Sequence, residues 1–139
     1  MRAVLDVNLI ISALLSPSGA PARVLSAWAE GEFELVLSPP VLGELERALA
    51  YPKLLERIDP EDASAVLEWL SESTRVVPDP HEPPPIHSPD PDDDYLLALA
   101  AEERAALVSD DKHLLALAGD LPIYTASGFL TLLEERRSD

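Results

Sequence analysis

The sequence predicts an α/β fold built on a parallel sheet, because short apolar runs alternate with longer segments of helical periodicity. The strand candidates are residues 2–5, 34–38, 74–77, 105–109 and 122–125. The helical patterns cover residues 8–15, 20–30, 40–50, 60–73, 93–103, 111–118 and 127–136. A chain of 139 residues can bury a core of ordinary size, so we interpret residues 1–139 as one domain.

Turn and capping residues separate these elements in order along the chain. The Ser-Pro-Ser-Gly sequence at 16–19 breaks the first helix, Ser38 and two prolines open the third, and Asp59-Pro60 starts the fourth. Residues 78–91, the proline-rich segment, contain seven prolines and can form neither a helix nor an inner strand. We expect this segment to cross the surface in extended form. A disordered linker between two domains is the alternative, but too little chain follows it for an independent fold.

Composition narrows the class of protein. The chain has no Cys, which excludes disulfides, thiolate metal ligands and a Cys nucleophile. No apolar run is long enough to span a bilayer and no signal pattern opens the chain, so we expect a cytoplasmic protein without a membrane partner. The net charge of −16 is opposite to that of most nucleic-acid-binding proteins. Either the acids form a solvated surface, or several of them surround cations that contact phosphate.

Acidic residues recur where the predicted elements begin or end. Asp6 ends the first strand, Asp110 and Asp111 follow the fourth, and residues 92–94, all Asp, open the helix that leads into it. Ligand sites of open parallel sheets lie beyond the carboxyl ends of the strands, so we expect these acids to meet at one edge. Each acid has a structural alternative as a turn or helix cap.

Glu44 differs from the other acids because it lies inside a predicted helix. It adjoins the apolar row formed by Leu42, Leu45 and Leu49, and an acid at the edge of a buried stripe needs a partner. An ion pair with Arg47, one turn later, is the alternative to a role in the site.

A cluster of carboxylates predicts a divalent metal ion. Several carboxylates close together repel one another and stay ionised only if cations lie among them. Oxygen ligands without Cys or a clear His pair favour Mg²⁺ or Mn²⁺ over Zn²⁺. Asn8, the only Asn in a chain that has no Gln, stands two residues after the first acid. Such a site can activate water for attack on a phosphodiester.

The ordered set of motifs resembles a PIN domain over the whole chain. The motifs are the strand that leads into Asp6-Val7-Asn8, Glu44 in Val-Leu-Gly-Glu-Leu, the segment 90–100 with its run of Asp, and Leu107-Val108-Ser109-Asp110-Asp111. The chain is most similar to small prokaryotic PIN proteins described as toxins of toxin-antitoxin pairs. This resemblance implies a three-layer α/β/α fold, a five-stranded parallel sheet of order 3-2-1-4-5, and Mg²⁺- or Mn²⁺-dependent ribonuclease activity. It also implies an RNA substrate and an antitoxin partner.

The resemblance assigns roles residue by residue. The four acidic positions, catalytic and metal-binding, fall on Asp6, Glu44, Asp94 and Asp111. Asp94 is preferred to Asp93 because the third acid of the family stands three residues before an apolar-Ala pair, here Leu97-Ala98; Asp93 and Asp110 remain alternatives. Asn8 and Ser109 take the supporting polar positions that orient the carboxylates. We also expect a homodimer, because similar PIN proteins are commonly dimers and Trp28 and Trp69 widen the apolar faces of two helices. Burial of both tryptophans in the core is the alternative.

Two other functions compete with this interpretation. A phosphatase of the haloacid dehalogenase type would use Asp6 as a nucleophile and would need a Lys, but the only lysines, Lys53 and Lys112, are poorly placed for that role. A binding module with the same fold and little or no turnover is the stronger rival, since it would keep the same acids.

Overall fold

The computed structural model describes residues 1–90 and 93–138. In chain order its elements are β1 (Arg2–Leu5), α1 (Val7–Leu15), α2 (Ala20–Ala29), β2 (Glu34–Leu37), α3 (Pro39–Leu49), α4 (Pro52–Leu55), α5 (Pro60–Ser73), β3 (Arg75–Val76), α6 (Asp94–Glu103), β4 (Ala106–Val108), α7 (Lys112–Leu115), β5 (Ile123–Tyr124) and α8 (Ala126–Arg137).

All strand pairs are parallel, which confirms the predicted α/β class. Four strands form a continuous ladder in the order β2-β1-β4-β5. In the register of β1 and β4, Ala3 lies opposite Ala106 and Leu5 lies opposite Val108. The expectation of five full strands holds only in part. The segment expected at 74–77 contributes two residues, Arg75–Val76, which pair beside β2 and give the order β3-β2-β1-β4-β5. β3 is short because Thr74 ends α5 and Pro78 has no N–H to donate.

The central strands are buried on both faces. Ala3, Val4 and Leu5 of β1 have no exposed surface, and the same is true of residues 35–37 of β2. A strand without alternation between buried and exposed side chains is covered on both faces, as parallel sheets with crossover helices are. This burial makes the carboxyl ends of the strands the first place where polar side chains can be exposed.

Two helices depart from the sequence-based expectation. α4 (Pro52–Leu55) was not predicted; it follows Tyr51 with Pro at its first position. The helix expected at 111–118 ends at Leu115, because the next N–H groups bond three residues back: Leu117 to the carbonyl of Leu114 and Ala118 to that of Leu115. Short apolar segments do not reveal where such tight turns replace an α-helix.

The proline-rich segment has neither helix nor strand over its described part, 78–90, as predicted. It is mostly exposed, but Ser88 is buried at 7% exposure and its Oγ accepts a hydrogen bond from the N–H of Asp90 at 3.2 Å. The N–H of Ser88 also donates to Asp94 Oδ1 at 2.8 Å, which attaches the segment to the start of α6. The interpretation of residues 1–139 as one domain stays a prediction.

Among the described residues, no single helix is long and apolar enough to cross a membrane. In the described part of the chain, α1 and α2 reach the required length and composition only when taken together, and the two are bent by 101° at the break between them.

Candidate metal-dependent active site

The centre of the site is Asp6, where β1 ends and α1 begins. Its backbone is extended and its N–H donates to the carbonyl of Val108 at 3.0 Å, so it continues the pairing with β4. Its Oδ1 accepts from the N–H of Asn8 at 3.2 Å, and its Oδ2 accepts from the Ser109 hydroxyl at 2.7 Å. The residue is only 6% exposed and Ser109 is fully buried. The parallel register of β1 and β4 thus joins residues that are far apart in the sequence.

Burial raises the pKa of Asp6 above its ordinary value of 3.8. The hydrogen bonds from Ser109 and from the N–H of Asn8 act in the opposite direction, and the negative charges of Asp111 and Asp110 raise the pKa further. Asp6 is therefore a buried carboxylate whose charged form is costly in the absence of a cation. Perturbed acids of this kind are concentrated at functional sites.

Asp110 and Asp111 follow β4, and both cap helices. Asp111 Oδ1 accepts from the N–H groups of His113 at 2.7 Å and Leu114 at 3.4 Å, while the N–H of Asp111 donates to Ser109 Oγ at 3.0 Å. Asp110 Oδ1 accepts from the N–H of Ala126, the first residue of α8, at 3.1 Å. The capping alternative therefore applies to both residues, although Asp111 also belongs to the Ser109–Asp6 network.

Two clefts meet at Asp6 and Asn8. The larger, of about 740 Å³, contains Glu44, Asp93 and Tyr95 in its lining; the smaller, of about 220 Å³, contains Asp110 and Asp111. Asp6 and the exposed Asn8 line both. The structure thus brings Asp6, Glu44 and Asp93 to one cavity and Asp6, Asp110 and Asp111 to the other.

Glu44 both pairs with Arg47 and lines a cleft with Asp6, so the two interpretations of its position apply together. Its side chain is 50% exposed rather than flush with the buried row of α3, which consists of Val41, Leu45 and Leu49. It accepts from Arg47 Nη2 at 2.9 Å, which is the ion pair considered as the alternative. Glu44 nevertheless lines the larger cleft with Asp6.

Asp94 lies elsewhere. Its Oδ2 is 2.7 Å from Nδ1 of His87, and its Oδ1 accepts from the N–H of Ser88 at 2.8 Å. These bonds, His87 first, lower the pKa of Asp94. Asp94 lines neither of the two clefts, whereas Asp93 lines the larger one, so this geometry does not support the preference for Asp94 over Asp93. Asp92, the first of the three acids, lies outside the described residues.

Tyr95 is a residue of the larger cleft that the sequence interpretation missed. Burial, followed by the negative charges of Glu44, Asp6 and Asp93, raises its pKa to about 12, although Arg47 opposes the shift. The hydroxyl therefore stays protonated and available as a donor at neutral pH. A Tyr directly after a run of Asp was the available signal, but its helical position alone does not show that it lines the same cleft as Glu44.

The donor chemistry of the site fits an oxygen-preferring divalent ion, because Asp6 is a buried carboxylate whose ionised form a cation would stabilise. Over residues 1–90 and 93–138, however, no three His, Asp or Glu side chains lie close enough together to hold a metal ion. The acids are divided between the two clefts with Asp6 between them.

Sequence and structural similarity identify the class of protein. The family model described as PIN domain matches residues 2–113, which include β1, the Glu44 helix and Asp111. The chain therefore belongs to the PIN domain family, and the resemblance seen in its motifs is confirmed.

The chain is also similar to individual proteins. It is 28% identical over 117 residues to Uncharacterized protein MJ1680 of Methanocaldococcus jannaschii, a match that covers 84% of this chain and 75% of that protein. PAE2754 from Pyrobaculum aerophilum has a TM-score of 0.64 at 18% identity, covering 97% of this chain and 90% of that one. The structure of VapBC2 from Rickettsia felis, solved with a bound DNA fragment from the VapBC2 promoter, has a TM-score of 0.60 at 16% identity. The match covers 90% of this chain and 98% of that one. At these identities the two solved structures share the fold with this chain.

Proposed function

We propose that this PIN-domain protein is a divalent-metal-dependent endoribonuclease whose active site lies at the carboxyl edge of β1 and β4. The observation that carries the proposal is the position of Asp6. It is a buried carboxylate of raised pKa, and it lines both clefts that contain the other acids. A buried charge without a cationic partner costs stability, so its presence at the mouth of two acidic clefts favours a functional role.

In this proposal Asp6 is the shared ligand for Mg²⁺ or Mn²⁺, with Glu44 and Asp93 on the side of the larger cleft and Asp111 on the side of the smaller one. Asp94 and Asp110 are the alternatives at the third and fourth positions. When bound, such an ion supplies a water of lowered pKa and neutralises charge that develops on the phosphodiester oxygens. The protein orients the carboxylates. Ser109 donates to Asp6 Oδ2 and at the same time accepts from the N–H of Asp111, so one buried hydroxyl fixes two of the acids.

Asn8 has a supporting role in this proposal. Its N–H fixes Asp6 Oδ1, and its exposed side chain lies where the two clefts meet. Tyr95 adds a protonated hydroxyl to the same acidic surroundings. Both residues could donate hydrogen bonds to phosphate oxygens that approach the acids.

The direct test is cleavage of mixed single-stranded RNAs with and without millimolar Mn²⁺. We expect Mn²⁺-dependent cleavage by the wild type and none by Asp6→Asn, because the amide has a similar shape but is a poorer metal ligand. Glu46→Gln is the matched control, since Glu46 is exposed on α3 and lines neither cleft. Cleavage by Asp6→Asn at the wild-type rate would exclude Asp6 from the site.

A second candidate function is a PIN-fold module that binds nucleic acid or protein with little turnover. The separation of the acids into two clefts, with no described group of three that could hold a metal, favours it. A binding measurement on the same RNAs, made beside the cleavage assay, decides between the two: binding without Mn²⁺-dependent cleavage supports the module. A phosphatase of the haloacid dehalogenase type has less support, because Lys53 lies in α4 and Lys112 in α7, and neither lines a cleft that contains Asp6.

As for partners, we propose that the protein acts in a toxin-antitoxin pair and forms a homodimer. The sequence resemblance to PIN toxins and the fold likeness to VapBC2 support the first part. Trp69 supports the second: it remains 38% exposed although its ring lies 4.5 Å from that of the buried Trp28. Sedimentation that gives only a 15.1 kDa species at micromolar concentration would exclude the dimer.

A further inference from the structure

The outer wall of the larger cleft carries an exposed aromatic ring. Tyr51 lies between α3 and α4, lines the cleft and is 64% exposed, more than any other large hydrophobic residue among those described. No aromatic stacking partner is found for it in residues 1–90 and 93–138. An exposed ring beside a polar cavity is a candidate contact for a ligand.

Backbone hydrogen bonds fix the main chain at Tyr51. The N–H of Tyr51 donates to the carbonyl of Ala48 at 3.2 Å, and its own carbonyl accepts from the N–H groups of Leu54 and Leu55 at 3.0 and 3.1 Å. Pro52 follows and restricts the local backbone further. The main chain at Tyr51 is therefore fixed on both sides, which anchors the base of the side chain at the cleft.

The cleft that Tyr51 lines also contains a cation. Arg47 is the only Lys or Arg among the described residues that line it. Its ion pair with Glu44 uses Nη2, while the side chain remains 69% exposed. A guanidinium has five N–H donors, so most of its hydrogen-bonding capacity is available to a phosphate that enters the cleft.

We propose that Tyr51 and Arg47 form a nucleotide subsite, in which the Tyr51 ring stacks on one unpaired base and the Arg47 guanidinium contacts the adjoining phosphate. An aromatic face and an arginine that line one cleft are suited to a single-stranded nucleic acid, because every unpaired base offers a π-face and every nucleotide a phosphate. The volume of about 740 Å³ is in the range of ligand cavities. The subsite would place the next phosphodiester over Asp6 and Glu44. This positioning role rests on the proposed nuclease function.

Binding can be measured without turnover. Fluorescence anisotropy of a labelled single-stranded RNA is followed in Ca²⁺, with the integrity of the RNA checked afterwards, and is compared with a duplex of the same composition. We expect Tyr51→Ala to weaken binding of the single strand about 10-fold and Tyr51→Phe to retain it, since stacking needs the ring and not the hydroxyl. Duplex binding should not depend on Tyr51.

The arginine is tested by its charge. Arg47→Gln should weaken binding at low salt and reduce the slope of log affinity against log salt by about 1, as expected when one phosphate contact is lost. Arg57→Gln makes the same change in net charge at an exposed position outside the cleft and should leave both unchanged. Leu55→Ala is the matching control for loss of exposed apolar surface next to Tyr51.

The outcomes separate this inference from the nuclease proposal. Tyr51-dependent binding without Mn²⁺-dependent cleavage supports the subsite and contradicts the nuclease. Cleavage with unchanged affinity and KM in Tyr51→Ala contradicts the subsite alone. If the wild type binds no single-stranded RNA, the subsite is wrong and a segment of a partner protein becomes the better occupant of the cleft.

Discussion

Two aspartates that stand at the starts of helices have opposite surroundings. Asp6, at the end of β1, is 6% exposed, and burial raises its pKa. Asp94, at the start of α6, is partly exposed, and hydrogen bonds from His87 and from the N–H of Ser88 lower its pKa. The residue type is the same, so the difference comes from what the fold places around each carboxylate.

The pKa directions have opposite consequences for stability. The pKa of Asp6 is higher in the folded protein than in the unfolded chain. Its ionisation therefore reduces the free energy of unfolding as the pH rises from the unfolded pKa through the folded one. The folded pKa of Asp94 lies below the unfolded value, so its contribution is present above the unfolded pKa and is lost as the pH falls through the lowered one. A carboxylate that reduces stability, such as Asp6, is expected at a functional site. A carboxylate that increases stability, such as Asp94, can have a structural role.

Of these predictions, the largest effect distinguishes Asp93 from Asp94, the two described acids at the start of α6, as the third acid of the active site. We expect Asp93→Asn to lower the Mn²⁺-dependent cleavage rate by about 100-fold or more, because Asp93 lines the cleft that also contains Asp6 and Glu44. Asp94→Asn should stay within a few-fold of wild type and should reduce stability. The reverse order in single-turnover rates would restore Asp94 as the third acid and place Asp93 outside the site.

Removal of the Ser109 hydroxyl, which donates to Asp6, should have the next largest effect. Ser109→Ala is expected to reduce cleavage about 10- to 100-fold, a range typical of groups that orient metal ligands. It should also lower the free energy of unfolding by about 2 kcal/mol, because a buried bond to a carboxylate is lost. Urea unfolding and rates corrected for the folded fraction measure the two effects. Ser71→Ala removes a similar hydroxyl that bonds to the Leu67 carbonyl on the exposed side of α5, and should leave the rate unchanged.

Asp111 tests whether a helix cap also belongs to the metal site. Asp111→Asn keeps a good capping residue and removes a charge near Asp6, so the metal-free protein should melt at the same or a higher temperature than wild type. Asp111→Ala should lose about 1 kcal/mol with the cap. In both variants the rise in Tm caused by millimolar Mn²⁺ should be smaller than in wild type. An unchanged Mn²⁺ response would make Asp111 purely structural.

The smallest effect is a pH dependence that sharpens the contrast between the two aspartates. In metal-free protein, Asp6→Asn should gain stability relative to wild type as the pH rises above 3.8, because the variant has no buried charge to form. Asp94→Asn should be less stable than wild type at neutral pH, and this deficit should shrink in acid. Denaturant unfolding across the acid-to-neutral range measures both differences. Parallel stability curves for Asp6→Asn and wild type would contradict the raised pKa.

Local patterns predicted most of the elements, because periodicity, prolines and capping residues act over a few positions. They failed where a few hydrogen bonds decide the outcome, at the four-residue α4, the early end of α7 and the two-residue β3. For the same reason Glu44 was placed in the correct helix but given too much burial. A helical row is known from sequence only to within about one position, since the angle at which the helix meets the sheet is not encoded locally.

By itself the sequence determined the parallel α/β class, the PIN family and the strand-end positions of Asp6, Ser109, Asp110 and Asp111, because these depend on short motifs and on the order of elements along the chain. Only the tertiary structure decided which acids share a cavity. It turned Asp94 toward His87 and Asp93 toward the cleft, and it placed Tyr51, Tyr95 and Arg47 around the acids. Neighbouring side chains on a helix differ by about 100° in direction, so packing and hydrogen bonds with distant segments choose which of them faces the site.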